Sequence, residues 1–72
     1  MKTHWNSRII KFYTENYSYY AIHEVYYNDD SPVSFTENAI KIIADDIDEL
    51  ERYYKLMGKA FEKSVLDSKI FE

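Results

Sequence analysis

Two histidines and several acidic residues are the groups in this sequence that could bind a metal ion. His23-Glu24 starts like the His-Glu-x-x-His zinc motif, but Tyr27 stands where the second histidine belongs, and the segment has the composition of a strand rather than a helix. The absence of cysteine excludes thiolate ligands, disulfides and a cysteine nucleophile. We therefore expect no metal site, with His23 hydrogen-bonded to a neighbouring group and His4 exposed to solvent.

Acidic residues come in adjacent pairs at 29–30, 45–46 and 48–49, which raises the question of acid–base catalysis. Such catalysis needs carboxyl groups that converge in a pocket and have separated pKa values. These pairs fall instead in a predicted turn and at a predicted helix start. A chain of 72 residues is also long enough for one small domain only, and too small to enclose a substrate pocket. We expect no catalytic residue, no cofactor and no enzymatic activity.

Aromatic and β-branched residues are concentrated in the first half of the chain, which indicates strands. The clearest segment is 19–27, which contains four tyrosines together with Ile22 and Val25. Segments 8–13 and 33–38 have a similar composition, and turns of about five residues separate the three, so an antiparallel meander is predicted. Residues 39–44 fit either an edge strand or an irregular crossover.

The second half of the chain predicts one amphipathic helix over 46–63. Asp45 or Asp46 is suited to cap its N-terminus, and acidic residues precede basic ones along it, as the helix dipole favours. Residues 64–72 are expected to form a tail that packs on the domain or on a partner. Apolar residues recur along one stripe of the helix at spacings of three and four: Ile47, Leu50, Tyr54, Met57 and Phe61.

These elements predict a single α+β domain, in which the C-terminal helix packs on one face of a three-stranded antiparallel sheet (β-β-β-α). Side chains alternate between the two faces of a strand. Because glutamate is costly to bury and Ala21 lets a helix approach closely, we expect Ala21, His23 and Val25 to lie under the helix. The opposite face would be bare, and would present Phe12 or Tyr13 from the neighbouring strand with four residues of the second strand: Tyr20, Ile22, Glu24 and Tyr26.

The net charge is −4, from nine basic and thirteen acidic residues, which argues against non-specific nucleic-acid binding. The sequence contains no run of about 18 apolar residues, so no membrane span is predicted. The polar N-terminal segment lacks the apolar region of a secretory signal, so we expect a cytoplasmic protein. Arg8 is expected to pair with Glu24 or Glu37, and Trp5 either closes one end of the core or anchors a partner.

The predicted bare face favours a role in protein binding, because tyrosine is large, rigid and amphipathic and is common at interfaces. We expect a non-enzymatic module, a regulatory or inhibitory adaptor, whose partner is another protein with a basic surface. Self-association into a homodimer through the bare face or an edge strand is a second possibility. The alternative is that the tyrosines build the core, and that the carboxylates only cap the helix and form a solvated surface. Acidic residues that could steer a partner are Asp29, Asp30, Glu37, Asp45 and Asp46.

Most of the chain resembles a family of short bacterial proteins that have a Y-x-I-H-E-V-Y-Y core, an S-x-T-E-N segment, a helix that starts with acidic residues, and a closing V-L-D. The family has no established activity, so the resemblance implies none. Ala39 stands where the family pattern has proline, which implies a less fixed connection to the helix. The matching segments are Trp5-Asn6-x-Arg8-Ile9-Ile10, Tyr19-Tyr20-Ala21-Ile22-His23-Glu24-Val25-Tyr26-Tyr27, Ser34-Phe35-Thr36-Glu37-Asn38 and Ser64-Val65-Leu66-Asp67.

The order of three strands and a helix is similar to that of HicB-type antitoxins, a likeness of topology alone. It implies a partner toxin and oligomerisation, although the basic DNA-binding segment of that family has no counterpart here. An antitoxin-like or nucleic-acid-associated regulator is therefore an alternative function. In size and charge the chain is also similar to phage and mobile-element inhibitors of host defence, including anti-CRISPR-like proteins.

Overall fold

Two long antiparallel strands form the centre of the fold. In the computed structural model, which describes residues 3–72, β1 (Thr3–Tyr13) pairs with β2 (Ser18–Asn28) along the whole length of both strands. The loop between them is closed by Thr14, whose backbone N–H donates to the Tyr17 carbonyl at 2.7 Å. β1 therefore begins well before the predicted 8–13, whereas β2 matches the predicted 19–27 to within one residue at each end.

The sheet has four strands of mixed direction, in the order β3-β2-β1-β4. β3 (Ser31–Phe35) pairs antiparallel with β2, and β4 (Leu66–Asp67) pairs parallel with β1. The α+β class and the three antiparallel strands are confirmed. The prediction of a purely antiparallel three-stranded sheet is wrong, because the predicted tail supplies a fourth strand.

β3 is an edge strand that begins directly after a two-residue turn, Asp29-Asp30, rather than at the predicted residue 33. Asp29 has a φ of 56°, a left-handed conformation that aspartate tolerates better than most residues. Pro32 lies within β3, where its missing N–H costs no hydrogen bond because an edge strand is paired on one side only.

After β3 the chain forms an irregular crossover over residues 36–46, and residues 39–44 within it are not a strand. Two hydrogen bonds hold the crossover to β2. The Thr36 N–H donates to the Glu24 carbonyl at 3.0 Å, and the Ile40 N–H donates to the Ile22 carbonyl at 2.8 Å. The crossover thus reaches the side of the sheet on which the helix lies.

The predicted helix 46–63 is present as α1 (Ile47–Gly58) followed by a short 3-10 helix (Lys59–Glu62). Asp46 caps α1, since its carboxylate accepts a hydrogen bond from the Glu49 N–H at 2.8 Å. No residue of α1 is buried. Burial of its own side chains therefore contributes little to the stability of this helix.

The core lies on the sheet face that carries Ile10, Val25 and Tyr27, which we call the tail face. Leu66 of β4 packs there, followed by Phe71 of a second 3-10 helix (Ser68–Phe71). The ring centroid of Phe71 is 4.9 Å from that of Phe35 on β3. The C-terminal tail therefore covers this face.

The helix lies over the other face of the sheet, where Met57 and Phe61 border the same cavity as Ile9 and Ile22. This corrects the prediction that Ala21, His23 and Val25 lie under α1. Their alternation was correct, but the tail fills the space that the prediction assigned to the helix. We call the second face the groove face; it carries Trp5, Ser7, Ile9, Lys11 and Tyr13 of β1, and Tyr20, Ile22, Glu24 and Tyr26 of β2.

Candidate interaction surface

An open groove of about 580 Å³ separates the sheet from helix α1 on the groove face. Its volume is that of a ligand site, but it is a cleft between two elements and not an enclosed pocket. The sheet wall is Trp5, Asn6, Ser7 and Glu24, the end wall is Ile40, Lys41, Ile42 and Ile43, and the helix wall is Tyr53, Leu56, Met57, Lys59, Glu62 and Lys63.

Two further cavities adjoin the groove. One of about 380 Å³ lies between the sheet and the end of the helix and includes Tyr20 and Ile22. Another of about 540 Å³ lies at the end of the sheet and includes Trp5 and Tyr26 of the groove face together with Tyr27 of the tail face. Trp5 borders both the groove and the second cavity, and Met57 borders both the groove and the first, so the three concavities are contiguous.

The structure brings together four of the predicted site residues. Tyr20, Ile22, Glu24 and Tyr26 share the groove face, with both tyrosines exposed and the other two half-buried. Tyr13 is the neighbouring aromatic residue on this face, and Phe12 lies on the other. The face is not bare, since α1 lies over part of it.

Glu24 is the acidic group on the sheet side of the groove. The Tyr26 hydroxyl donates to its carboxylate at 3.2 Å. The pKa of Tyr26 is raised, first by loss of solvation and then by this hydrogen bond and the carboxylate charge. Lys59 and Lys63 line the opposite wall. The same wall also includes Glu62, so the groove has a largely apolar lining with charged groups of both signs around it.

The five acidic residues expected to steer a partner are distributed over three places. Asp29 and Asp30 are in the turn after β2, at the Tyr26 end of the groove face, and Glu37 is in the crossover. Asp45 and Asp46 are at the start of α1, where Asp46 serves as the helix cap. Only Asp29 and Asp30 continue the groove face directly.

His23 and Thr36 form hydrogen bonds that have a structural role. The Nδ1–H of buried His23 donates to the Thr36 carbonyl at 2.9 Å, which confirms the expected hydrogen bond. The Thr36 hydroxyl donates in turn to the Asn38 carbonyl at 2.9 Å. These bonds fasten the segment after β3 to β2.

The prediction that Arg8 pairs with Glu24 or Glu37 is wrong. The register of β1 places Arg8 opposite His23 on the tail face. Its guanidinium donates to the Tyr27 hydroxyl and to the Ser64 carbonyl, both at 2.7 Å. Arg8 therefore fastens the start of the tail to the sheet.

Tyr13 and Asp67 form a second contact between the sheet and the tail. The Tyr13 hydroxyl donates to the Asp67 carboxylate at 2.5 Å. This bond is the main cause that raises the pKa of Tyr13 and lowers the pKa of Asp67. The pair stabilises the position of β4.

Exposed apolar residues of the crossover and helix are the part of the surface that sequence reasoning missed. The spacing along α1 identified an apolar stripe, but the stripe was assigned to the core, whereas much of it faces solvent. Trp5, whose role the sequence left open, is 58% exposed and borders the groove.

Comparison of the chain with protein-family models, with curated protein sequences and with solved structures yields no match. Within residues 3–72, no group of three or more histidine, cysteine, aspartate or glutamate side chains is placed to hold a metal ion. None of the helices over that range is long and apolar enough to cross a membrane.

Proposed function

We propose that this chain is a small non-enzymatic protein-binding module, a regulatory or inhibitory adaptor that docks another protein on its groove face. The observation that carries the proposal is the exposed aromatic pair Trp5 and Tyr26, which lie opposite each other on β1 and β2. Trp5 lines the groove, and both residues border the cavity next to it. Tryptophan and tyrosine are the residues that most often dominate binding energy at protein interfaces.

The chemistry of the surface defines the partner. An apolar segment would fill the groove, because its floor is mostly apolar, and the aromatic pair would contact it at the rim. Glu24, Asp29 and Asp30 make the Tyr26 end of the face acidic. The partner is therefore a protein with an exposed apolar segment that is flanked by lysine or arginine residues.

A photo-reactive amino acid placed at position 26 tests where the partner binds. In cells that express the chain, we expect one discrete protein other than the chain itself to be cross-linked from position 26. The matched control is position 17, an exposed tyrosine in the loop between β1 and β2. Equal cross-linking from both positions, or adducts with second copies only, would contradict docking on the groove face.

Affinity measurements with the purified partner complete the test. Trp5→Ser and Tyr26→Ser are each expected to weaken binding about tenfold or more, as for central interface aromatics, while Tyr17→Ser leaves it unchanged. Asp29→Asn with Asp30→Asn should slow association at low salt and leave dissociation unchanged. An unaltered circular dichroism spectrum shows that each variant is folded. Unchanged affinity in both serine variants would refute the proposal.

A further inference from the structure

We propose that helix α1 pairs with helix α1 of a second copy of this chain, antiparallel and about a two-fold axis near Tyr54. The proposal concerns the helix stripe and not Trp5 or Tyr26. Met57 and Phe61 also border cavities of the groove face, so the test variants below change Ile47 and Tyr54, which border neither cavity. The stripe consists of Ile47, Leu50, Tyr54, Met57 and Phe61.

The stripe has the pattern of a helix-pairing surface. Its four members within α1 alternate at spacings of three and four, which is the a/d repeat that forms a seam between two helices, and Phe61 continues the stripe in the 3-10 helix that follows. Within the chain most of this seam is uncovered: Ile47 is 76% exposed, Tyr54 is 63% exposed and Phe61 is 72% exposed. An apolar cavity of about 410 Å³ lies against it, formed by Ile42 and helix residues only.

The apolar face of the helix lacks packing in every copy of the chain, which favours a second copy over another protein as its occupant. Helices shorter than about 12–15 residues are marginal in water and depend on packing of their apolar face. α1 has 12 residues and buries none of them. A second copy supplies this packing at once, and it is always available to the chain.

The exposed area of the chain matches that of one subunit of a dimer. A monomer of 8.7 kDa is expected to expose about 4,700 Å², whereas this chain exposes 5717 Å². The excess is about 1,000 Å², and a stable interface buries about 800 Å² of each partner. Pairing would therefore remove an area of the right size.

The charges along the helix define its direction in the pair. The first turn of α1 contains the acidic residues Asp48 and Glu49, its last turn contains the basic residue Lys55, and Lys59 follows directly after the helix. Antiparallel pairing places each acidic end beside the basic end of the other copy, whereas parallel pairing would bring like charges together. With Tyr54 on the axis, Ile47 meets Phe61 of the second copy, beside the apolar cavity.

Gly58 supports close approach at the same surface. Glycine is unfavourable within a helix relative to alanine, and Gly58 has an ordinary helical φ of −60°. A Cβ atom at this position would meet nothing within 4 Å in the isolated chain. Contacts within the chain therefore do not require glycine at this position. A second helix packed beside Met57 would require it, because the absence of a side chain lets the two backbones approach closely.

Sedimentation equilibrium of the purified chain tests the pairing. We expect a mass of twice 8.7 kDa that falls to 8.7 kDa on dilution. Ile47→Glu with Tyr54→Glu should leave the chain monomeric at all concentrations, because two carboxylates would enter the apolar seam. Val33→Glu is the matched control, since Val33 is an exposed apolar residue of β3, and this variant should still dimerise. A monomeric native chain, or dimers in the double variant, would refute the proposal.

Disulfide cross-linking tests the direction, since the chain contains no cysteine. In an antiparallel pair about Tyr54, Tyr54→Cys should form a disulfide-linked dimer, whereas Ile47→Cys should not, because its two copies lie at opposite ends of the seam. Linkage through both positions would indicate parallel pairing and would exclude the antiparallel arrangement. The near-UV circular dichroism signal of the tyrosines in the sheet shows whether each variant retains its core.

Discussion

Arg8 is the residue whose loss should destabilise the fold most among the charged side chains. It is 9% exposed, and its guanidinium donates to the Tyr27 hydroxyl and to the Ser64 carbonyl. Arg8→Ala leaves both acceptors without their charged donor, so we expect the free energy of unfolding to fall by about 2 kcal/mol. Urea denaturation measures the loss. Arg52→Ala is the control, because Arg52 is exposed on α1, and equal effects of the two changes would contradict the structural role of Arg8.

The contrast between Arg8 and the tyrosines shows what could be predicted at single positions. Period-two alternation was sufficient to place Tyr20 and Tyr26 on one face of β2, because that rule needs no partner strand. The partner of Arg8 was wrong because it depends on the register between β1 and β2 and on the return of residue 64 from a distant part of the chain. Coulomb attraction alone favoured a carboxylate, but the fold supplies neutral oxygen atoms.

At the scale of elements, the tail should contribute more to stability than its length suggests. Phe71 packs against Phe35 on the tail face, whereas its neighbour Ile70 is largely exposed. Phe71→Ala is therefore expected to lower the free energy of unfolding by about 2 kcal/mol, less than for a fully buried phenylalanine. Ile70→Ala should change it by less than about 0.5 kcal/mol. Thermal or urea unfolding of both variants measures the difference, and equal values would mean that the tail does not cover this face.

The elements that were predicted well are those whose signals are local. The Asp46 cap and the composition of β2 depend on residues near in sequence, so both were read correctly. β4 has two residues and is formed by pairing with β1, more than fifty positions earlier. No sequence period is detectable in so short a strand. Residues 64–72 were therefore predicted as a tail that packs on the domain or on a partner, without a strand, and the covering of this face was assigned to the helix.

For the whole molecule, the two sides of the sheet differ in how completely they are closed. The chain is flat, with extents of 38 × 38 × 21 Å and a radius of gyration of 13.4 Å. A compact domain of 72 residues would have a radius of gyration of about 11 Å. The excess arises where α1 stands away from the sheet and leaves the groove open. The side closed by the tail contains the core residues Ile10 and Val25, whereas the other side keeps an open groove, which is the docking surface we propose.

This asymmetry predicts a gradient of local stability, which hydrogen exchange followed by mass spectrometry can measure. At low concentration, amides of β1 and β2 near Ile10 and Val25 should exchange slowest, because these two side chains are fully buried and their strands are paired on both sides. Amides of α1 should exchange fastest among the regular elements, since none of its residues is buried. Raising the concentration should slow exchange in α1 while β2 stays unchanged, because pairing adds cover to the helix alone. If α1 exchanges as slowly as β2 at every concentration, contacts within one chain are sufficient to stabilise the helix, and the argument for pairing with a second copy fails.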